Sequence, residues 1–141
     1  MYENIKPLKV NIISDIHYYA REMGCSGKAF DKTNATASNE MVYSKEILEA
    51  LMNQLANDDA DIVLVSGDTT NKAERPSHEG VIKLLRSLKE KGKRVYVITA
   101  THDFNGDGMT YAYEGDEKKA VPGTKREELL DMYREFGPDE A

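Results

Sequence analysis

The chain has 141 residues, of which 40% are hydrophobic and 31% charged, and its formal net charge is -6. This length suits one domain or part of one, and the negative charge argues against long-range attraction to nucleic acid. A single cysteine, Cys25, excludes an internal disulfide framework. No apolar run is long enough to cross a bilayer, and residues 1–9 lack the apolar core of a signal peptide. The sequence therefore predicts a cytoplasmic protein with no membrane partner, unless an upstream signal has been removed.

The first third of the chain predicts a strand, a long loop and a helix. The apolar run Leu8–Ser14 predicts a buried strand. Tyr18–Asn39 is rich in small and polar residues and predicts a loop, for which a substrate lid and a mobile surface insertion are both compatible readings. Glu40–Asn57 predicts a helix, because Leu48 and Leu55 fall on one apolar face.

The rest of the chain continues this alternation of strands and helices. Ile62–Val65 predicts a buried strand, and Arg94–Thr99 predicts the next one. Between them, Ser77 is a typical N-cap for a helix, and Gly92 lies where its C-terminal cap is expected. Residues 124–127 have the pattern of a capping box and predict a last helix. Strands that alternate with helices indicate a parallel sheet built from right-handed crossovers.

Each predicted strand is followed by side chains that can bind metals or transfer protons. Asp15 and His17 follow the first strand, Asp68 follows the second, and His102 and Asp103 follow the third. Ligands of α/β proteins bind at the carboxyl ends of the strands, so we expect these side chains to converge. Carboxylates and imidazoles bind divalent cations, one carboxylate can bridge two of them, and a nearby histidine can protonate a leaving alkoxide.

The order D-x-H, then G-D-x-x-N, then a strand ending in x-H-D resembles the calcineurin-like metallophosphoesterases over roughly residues 9–136. The resemblance implies an α/β fold, the N-terminal half of a metallophosphoesterase sandwich, with a mostly parallel sheet flanked by helices. Residues 1–141 would then form a single partial domain. The implied activity is metal-dependent hydrolysis of a phosphate mono- or diester, with a phosphorylated small molecule or another phosphate ester as the substrate.

The resemblance also assigns roles to individual residues. Asp15 and His17 would bind a first metal ion, and Asp68 would bridge it to a second. His102 would face the scissile phosphate as an acid or as a charge stabiliser, with Asp103 holding it in orientation. The implied cofactors are divalent metal ions, namely Mn, Fe, Zn or Mg, because all four suit mixed oxygen and nitrogen ligands.

The chain departs from the family pattern at two points. The family's third block reads G-N-H-D or G-N-H-E, and its Asn binds the second metal, whereas Ala100 and Thr101 stand here. The shorter Thr101 side chain is a poorer ligand, which puts the second metal site in doubt. The chain has three histidines, His17, His78 and His102, and lacks the family's downstream histidine blocks. His78 matches no family ligand and is expected to be a polar residue in the first turn of a helix.

Two expectations follow from these departures. The chain is expected to be a truncated or partial phosphoesterase that is weak or inactive in isolation, with a homo-oligomer covering its open sheet face. The alternative is a catalytically inactive phosphoesterase-like chain that binds a ligand or partner.

A third hypothesis rests on one segment. Residues 103–114 match the EF-hand calcium loop, with oxygens from Asp103, Asn105, Asp107 and Glu114. A strand precedes the segment and no helical pattern follows it, so a solvated turn is the expected structure.

Overall fold

The computed structural model describes residues 6–140 and consists of a parallel sheet, its crossover helices and a separate hairpin. The three strands β1 (Val10–Ile13), β2 (Ile62–Ser66) and β3 (Arg94–Ile98) form the sheet in the order β1-β2-β3. The antiparallel hairpin comprises β4 (Met109–Glu114) and β5 (Glu117–Pro122). The helices are α1 (Lys28–Asn34), α2 (Ser44–Asn57), α3 (Arg75–Glu90) and α4 (Arg126–Met132), and 3-10 turns lie at Arg21–Met23, Thr101–Asp103, Arg134–Phe136 and Pro138–Glu140.

One face of the parallel sheet forms the core. Val63, Val65 and Val95 are buried there together with apolar residues of α2 and α3, including Leu48 and Leu85. A sheet whose order follows the chain, joined by right-handed crossovers, brings both crossover helices to the same face. The predicted α/β fold with a parallel sheet flanked by helices is thereby confirmed.

The opposite face of the sheet is largely open. Ile12 in β1 and Ile98 in β3 are 70% and 71% exposed, and Val10 is exposed as well. The prediction of a buried first strand was therefore wrong. Within residues 6–140, β1 is an edge strand that pairs with β2 alone, and alternate side chains point away from the helices. Apolar composition did not distinguish a strand covered on one face from one covered on both.

The segment after β1 is folded and packed, which corrects the predicted loop over residues 18–39. It contains a 3-10 turn and α1, and its residues Tyr19, Met23 and Phe30 are buried. The rings of Tyr19 and Phe30 both pack against Tyr113 of the hairpin, with centroids 6.5 and 5.4 Å away. These aromatic residues bury enough apolar surface to hold a segment whose composition otherwise resembles a loop.

Two helix starts differ from the predicted ones. Helix α2 begins at Ser44 rather than at Glu40. Helix α3 begins at Arg75, so Ser77 is not its N-cap. The buried hydroxyl of Ser77 instead accepts a hydrogen bond from the backbone N–H of Ala20, at 3.0 Å. A serine that satisfies a distant backbone group has the same local sequence signal as a cap.

The C-terminal end of α3 and the start of α4 are closer to the predictions. Gly92 follows the end of α3 with a φ of +87°, as predicted for a helix C-terminus. The capping box of α4 lies one residue later than predicted: the Glu128 carboxylate accepts a hydrogen bond from the N–H of Lys125 at 2.8 Å.

Among residues 6–140, no helix has both the length and the apolar character that a membrane crossing requires.

Candidate metal centre

The loops that leave β1 and β2 are paired with each other beyond the ends of the strands. The N–H of Asp15 donates to the carbonyl of Gly67 at 3.2 Å, and the N–H of His17 donates to the carbonyl of Asp68 at 2.9 Å. The parallel register of the sheet thus continues into the two motifs. Because the pairing fixes both backbones, the side chains of the motifs are held at the same end of the sheet.

The loop after β3 is joined to the loop after β2 through both backbone groups of one residue, His102. The N–H of His102 donates to Oδ1 of Asp68 at 2.9 Å. Its carbonyl accepts from the N–H of Ala73 and from the hydroxyl of Thr70, both at 2.8 Å. Gly67 allows this close approach, because an added Cβ there would lie 2.5 Å from the Cβ of Ala100.

Three of the predicted side chains form a cluster that can hold a cation. One ligand atom from each of Asp15, His17 and Asp68 lies within 4.8 Å of the other two. His17 Nε2 is 3.6 Å from Asp15 Oδ1, and the His102 ring packs edge-on against the His17 ring at 4.6 Å between centroids. The expected convergence of Asp15, His17, Asp68 and His102 is therefore observed, whereas their chemical roles stay predictions.

The backbone of the cluster is strained. Non-glycine residues with a positive φ are rare, and those among residues 6–140 are Asp15, His17, Asp68 and Ala73, with φ of 54°, 45°, 50° and 61°. Each such residue costs of the order of 1 kcal/mol, and such strain is concentrated where function requires it. Three of the four are the clustered ligand residues, so the strain coincides with the site.

The geometry and chemistry of these donors fit a divalent cation. At bond lengths of about 2.0–2.2 Å, two ligands on opposite sides of an ion are about 4.2 Å apart. Small side-chain rotations therefore bring the three atoms into one coordination sphere. Two carboxylates and an imidazole suit Mn, Fe, Zn and Mg. The exposed position of Asp15 leaves room for water or a substrate oxygen as a further ligand.

His102 is held in a defined tautomer by the loop after β2. Its Nδ1 lies 2.6 Å from the carbonyl oxygen of Asn71. A carbonyl can only accept, so Nδ1 carries the proton and Nε2 is the atom left for chemistry. Nε2 offers a lone pair in the neutral ring and a proton in the imidazolium form.

The His102 ring is bound by the Asn71 carbonyl, whereas Asp103 contacts the loop after β2 and the start of the 3-10 turn. The Asp103 carboxylate is fully buried and accepts from the hydroxyl of Thr69 at 2.6 Å, and from the N–H groups of Thr70 and Ala100 at 3.0 and 2.8 Å. Asp103 therefore acts on His102 through the backbone, because it fixes the 3-10 turn that carries both residues.

His78 lies in the first turn of α3, as predicted, and it is also a buried member of the same network. Its Nε2 lies 2.9 Å from the carbonyl of Asp103, and its Nδ1 lies 2.8 Å from the Tyr133 hydroxyl. Nε2 must donate to the carbonyl, so Nδ1 accepts and Tyr133 donates. Burial lowers the pKa of His78 and raises that of Tyr133, which keeps both groups neutral as this pattern requires.

Thr101 begins the 3-10 turn beside the cluster and is exposed to solvent. The next residue, His102, donates its N–H to Asp68, so Thr101 lies next to the cluster along the chain. Its predicted part in a second metal site stays a prediction.

The EF-hand pattern does not correspond to a calcium loop. Asp103 is buried with its carboxylate turned to Thr69, and Glu114 ends β4, where it pairs with Glu117. The predicted solvated turn was also incomplete, because residues 109–122 form a hairpin. The two-residue connection Gly115-Asp116 between alternating segments is a hairpin signal that could have found it.

Comparison with known proteins adds one match. The family model described as calcineurin-like phosphoesterase matches residues 8–137. No curated protein matches the chain.

Proposed function

The chain belongs to the calcineurin-like phosphoesterase family, and we propose that its site hydrolyses a phosphate mono- or diester with the help of a bound divalent cation. The observation that carries the proposal is the cluster of Asp15, His17 and Asp68, whose ligand atoms lie within 4.8 Å of one another on strained backbone. His102 adjoins the cluster with a defined tautomer.

The residues divide the work between binding and proton transfer. Asp15, His17 and Asp68 would hold the cation, which would supply positive charge to the phosphate and lower the pKa of a water molecule so that it can act as the nucleophile. Asp68 also accepts the N–H of His102, which fixes the distance between the cation ligands and the histidine. His102 Nε2, opposite the Nδ1–H that binds Asn71, would donate a proton to the leaving oxygen.

The isolated chain is proposed to be a slow enzyme. The clustered residues supply three donors, and Thr101 stands where the family pattern has an asparagine. A loosely held single cation cannot clamp both oxygens of an in-line displacement. The loss of that clamp corresponds to roughly a thousandfold in rate. The cytoplasmic location and the homo-oligomer expected from the sequence belong to the same proposal.

The test is hydrolysis of 4-nitrophenyl phosphate and bis(4-nitrophenyl) phosphate in excess Mn²⁺. We expect slow turnover that Asp68→Asn removes, since the amide weakens cation binding. The matched control is Asp61→Asn, a change at an exposed aspartate before β2 that should leave the rate unchanged. Equal rates for the wild type and Asp68→Asn would contradict the proposal.

A second function is favoured by Thr101 alone. If the second cation cannot bind, the chain becomes a non-catalytic protein that binds a phosphate ester or a partner at the same cluster. Mn²⁺-dependent binding of phenylphosphonate without turnover of either nitrophenyl ester would support this alternative over the enzyme.

A further inference from the structure

A cleft of about 290 Å³ lies directly beside the cluster. Its walls are formed by His17 and His102 together with the segment before α2, the loop after β2 and the hairpin. A phosphate held at the cluster would therefore extend its ester group into this cleft.

Close backbone contacts and a hydrogen bond hold the segments around the cleft together. Added Cβ atoms at Gly24 and Gly27 would lie 1.9 and 1.8 Å from the carbonyl oxygens of Tyr113 and Gly115, so the segment before α1 sits directly on the hairpin backbone. On the other side, the hydroxyl of Thr110 donates to the carbonyl of Lys72 at 2.7 Å. The hairpin is thus fixed both to the segment before α1 and to the loop after β2.

The size of the cleft limits what can enter it. Pockets for small molecules have volumes of about 300–1,000 Å³, so this cleft is at the lower end. It is large enough for a compact leaving group and too small for a folded protein segment.

Two lysine side chains bring positive charge to the cleft. Lys72 and Lys118 both line it, and within residues 6–140 neither ammonium group forms an ion pair with a carboxylate. Lys118 Nζ lies 4.2 Å from the centroid of the Tyr111 ring, and this cation–π contact holds the ammonium group at the wall.

The acidic residue of the cleft does not cancel this charge. Glu74 is almost fully buried, and its carboxylate accepts from the N–H of Lys72 at 2.8 Å and from the side-chain amide of Asn71 at 3.2 Å. Its oxygens are therefore occupied by the loop, and burial raises the pKa of the Glu74 carboxyl.

We propose that the cleft binds the leaving group of a small phosphate ester that carries a second anionic group, a carboxylate or another phosphate, recognised by Lys118 and Lys72. This inference rests on the proposed function, because the cluster must hold the scissile phosphate. An ammonium group that has no protein carboxylate as partner gains a charge-assisted hydrogen bond when such an oxyanion enters.

The test uses two non-hydrolysable probes, phenylphosphonate and 4-phosphonobenzoate, which differ by one carboxylate. Calorimetry in the presence of Mn²⁺ should show that the wild type binds 4-phosphonobenzoate about tenfold more tightly, as one charge-assisted hydrogen bond predicts. In Lys118→Met and in Lys72→Met this ratio should fall toward one. Methionine at 118 keeps an apolar stem over Tyr111, so the wall should persist.

Lys83→Met is the control, because Lys83 is an exposed lysine of α3 outside the cleft and the ratio should stay near ten. Equal binding of both probes by the wild type, or an unchanged ratio in the Lys118 and Lys72 variants, would overturn the inference. If phenylphosphonate binds only with Mn²⁺ but the ratio is one, the inference fails, whereas cation-dependent phosphate binding at the cluster, which the proposed function requires, is retained. If neither probe binds with Mn²⁺, both fail.

Discussion

At the residue scale, the geometry of the site depends on buried polar side chains next to the cluster as much as on the candidate metal ligands themselves. Asp103 and His78 are both fully buried, and their hydrogen bonds fix the 3-10 turn that presents His102. Their positions in the sequence gave no sign of these bonds, because Thr69 is 34 residues from Asp103 and Tyr133 is 55 residues from His78. Long-range hydrogen bonds of this kind leave no local pattern.

The Tyr133 hydroxyl should contribute measurably to stability. Tyr133→Phe removes the donor to His78 Nδ1 and leaves that buried nitrogen without a partner. We expect the free energy of unfolding to fall by about 1–2 kcal/mol, measured by urea denaturation. Tyr43→Phe is the control, because Tyr43 is 60% exposed and its change should be near zero. Equal small effects of both variants would show that the network contributes no stability.

His78 should make stability depend on pH in a known direction. Burial lowers its pKa from the ordinary 6.5, so below pH 6.5 the unfolded chain binds the proton that the folded chain excludes. His78 therefore destabilises the fold as the pH falls below 6.5, and its contribution is fully restored above that value. In His78→Gln, whose side chain can still donate and accept, the loss of stability between pH 7.5 and 5.5 should be smaller than in the wild type.

The pH dependence of stability must be compared between the wild type and His78→Gln, because Glu74 changes stability with pH in the opposite direction. Burial raises the pKa of Glu74 above 4.5, so the folded chain keeps a proton that the unfolded chain has lost, and stability falls as the pH rises through that range. Glu74 is present in both chains, so its effect cancels in the difference. Identical pH slopes for the wild type and His78→Gln would contradict the assignment.

At the element scale, periodicity and turn signals predicted the frame of the fold. Strands β2 and β3 were predicted within a residue or two, as was a helix between them, in which the buried residues Val81, Leu85 and Leu88 recur with helical spacing. The errors arose where tertiary contacts decide the structure. Helix α1 and the 3-10 turn before it are ordered by packing on the hairpin, which composition cannot reveal.

The contact between that segment and the hairpin depends on glycine. Gly27 has a φ of +93°, and an added Cβ would lie 1.8 Å from the carbonyl oxygen of Gly115. Gly27→Ala should therefore lower the free energy of unfolding by about 2 kcal/mol or more, and should speed amide hydrogen exchange in β4 and β5. Gly106→Ala is the control, because no atom lies within 4 Å of the added Cβ. Equal exchange rates in both variants would show that the contact does not hold the hairpin.

At the scale of the whole molecule, the sequence predicted the family, the fold class and the convergence of the site, because each depends on the order of strands and the motifs after them. It could not predict which sheet face is covered. Exposed Ile12 and Ile98 lie on the side away from α2 and α3. An apolar face of this kind is the surface on which the proposed homo-oligomer would form.

The same order of strands brings the three motifs together, and it explains why a short chain can gather residues that could hold a metal ion. Asp15 follows β1, Asp68 follows β2, and His102 follows β3, with backbone hydrogen bonds joining the three loops. A cation that binds only the folded cluster must stabilise the fold by an amount that rises with the logarithm of one plus the ratio of its concentration to its dissociation constant.

The most direct measurement is calorimetric titration of the metal-free chain with Mn²⁺, using wild type, Asp68→Asn and the exposed-site control Asp61→Asn. The cluster predicts saturable binding to the wild type and to Asp61→Asn, with affinity at least tenfold weaker in Asp68→Asn because one charged ligand is lost. Indistinguishable isotherms for the wild type and Asp68→Asn would contradict the assignment of Asp15, His17 and Asp68 as a metal centre.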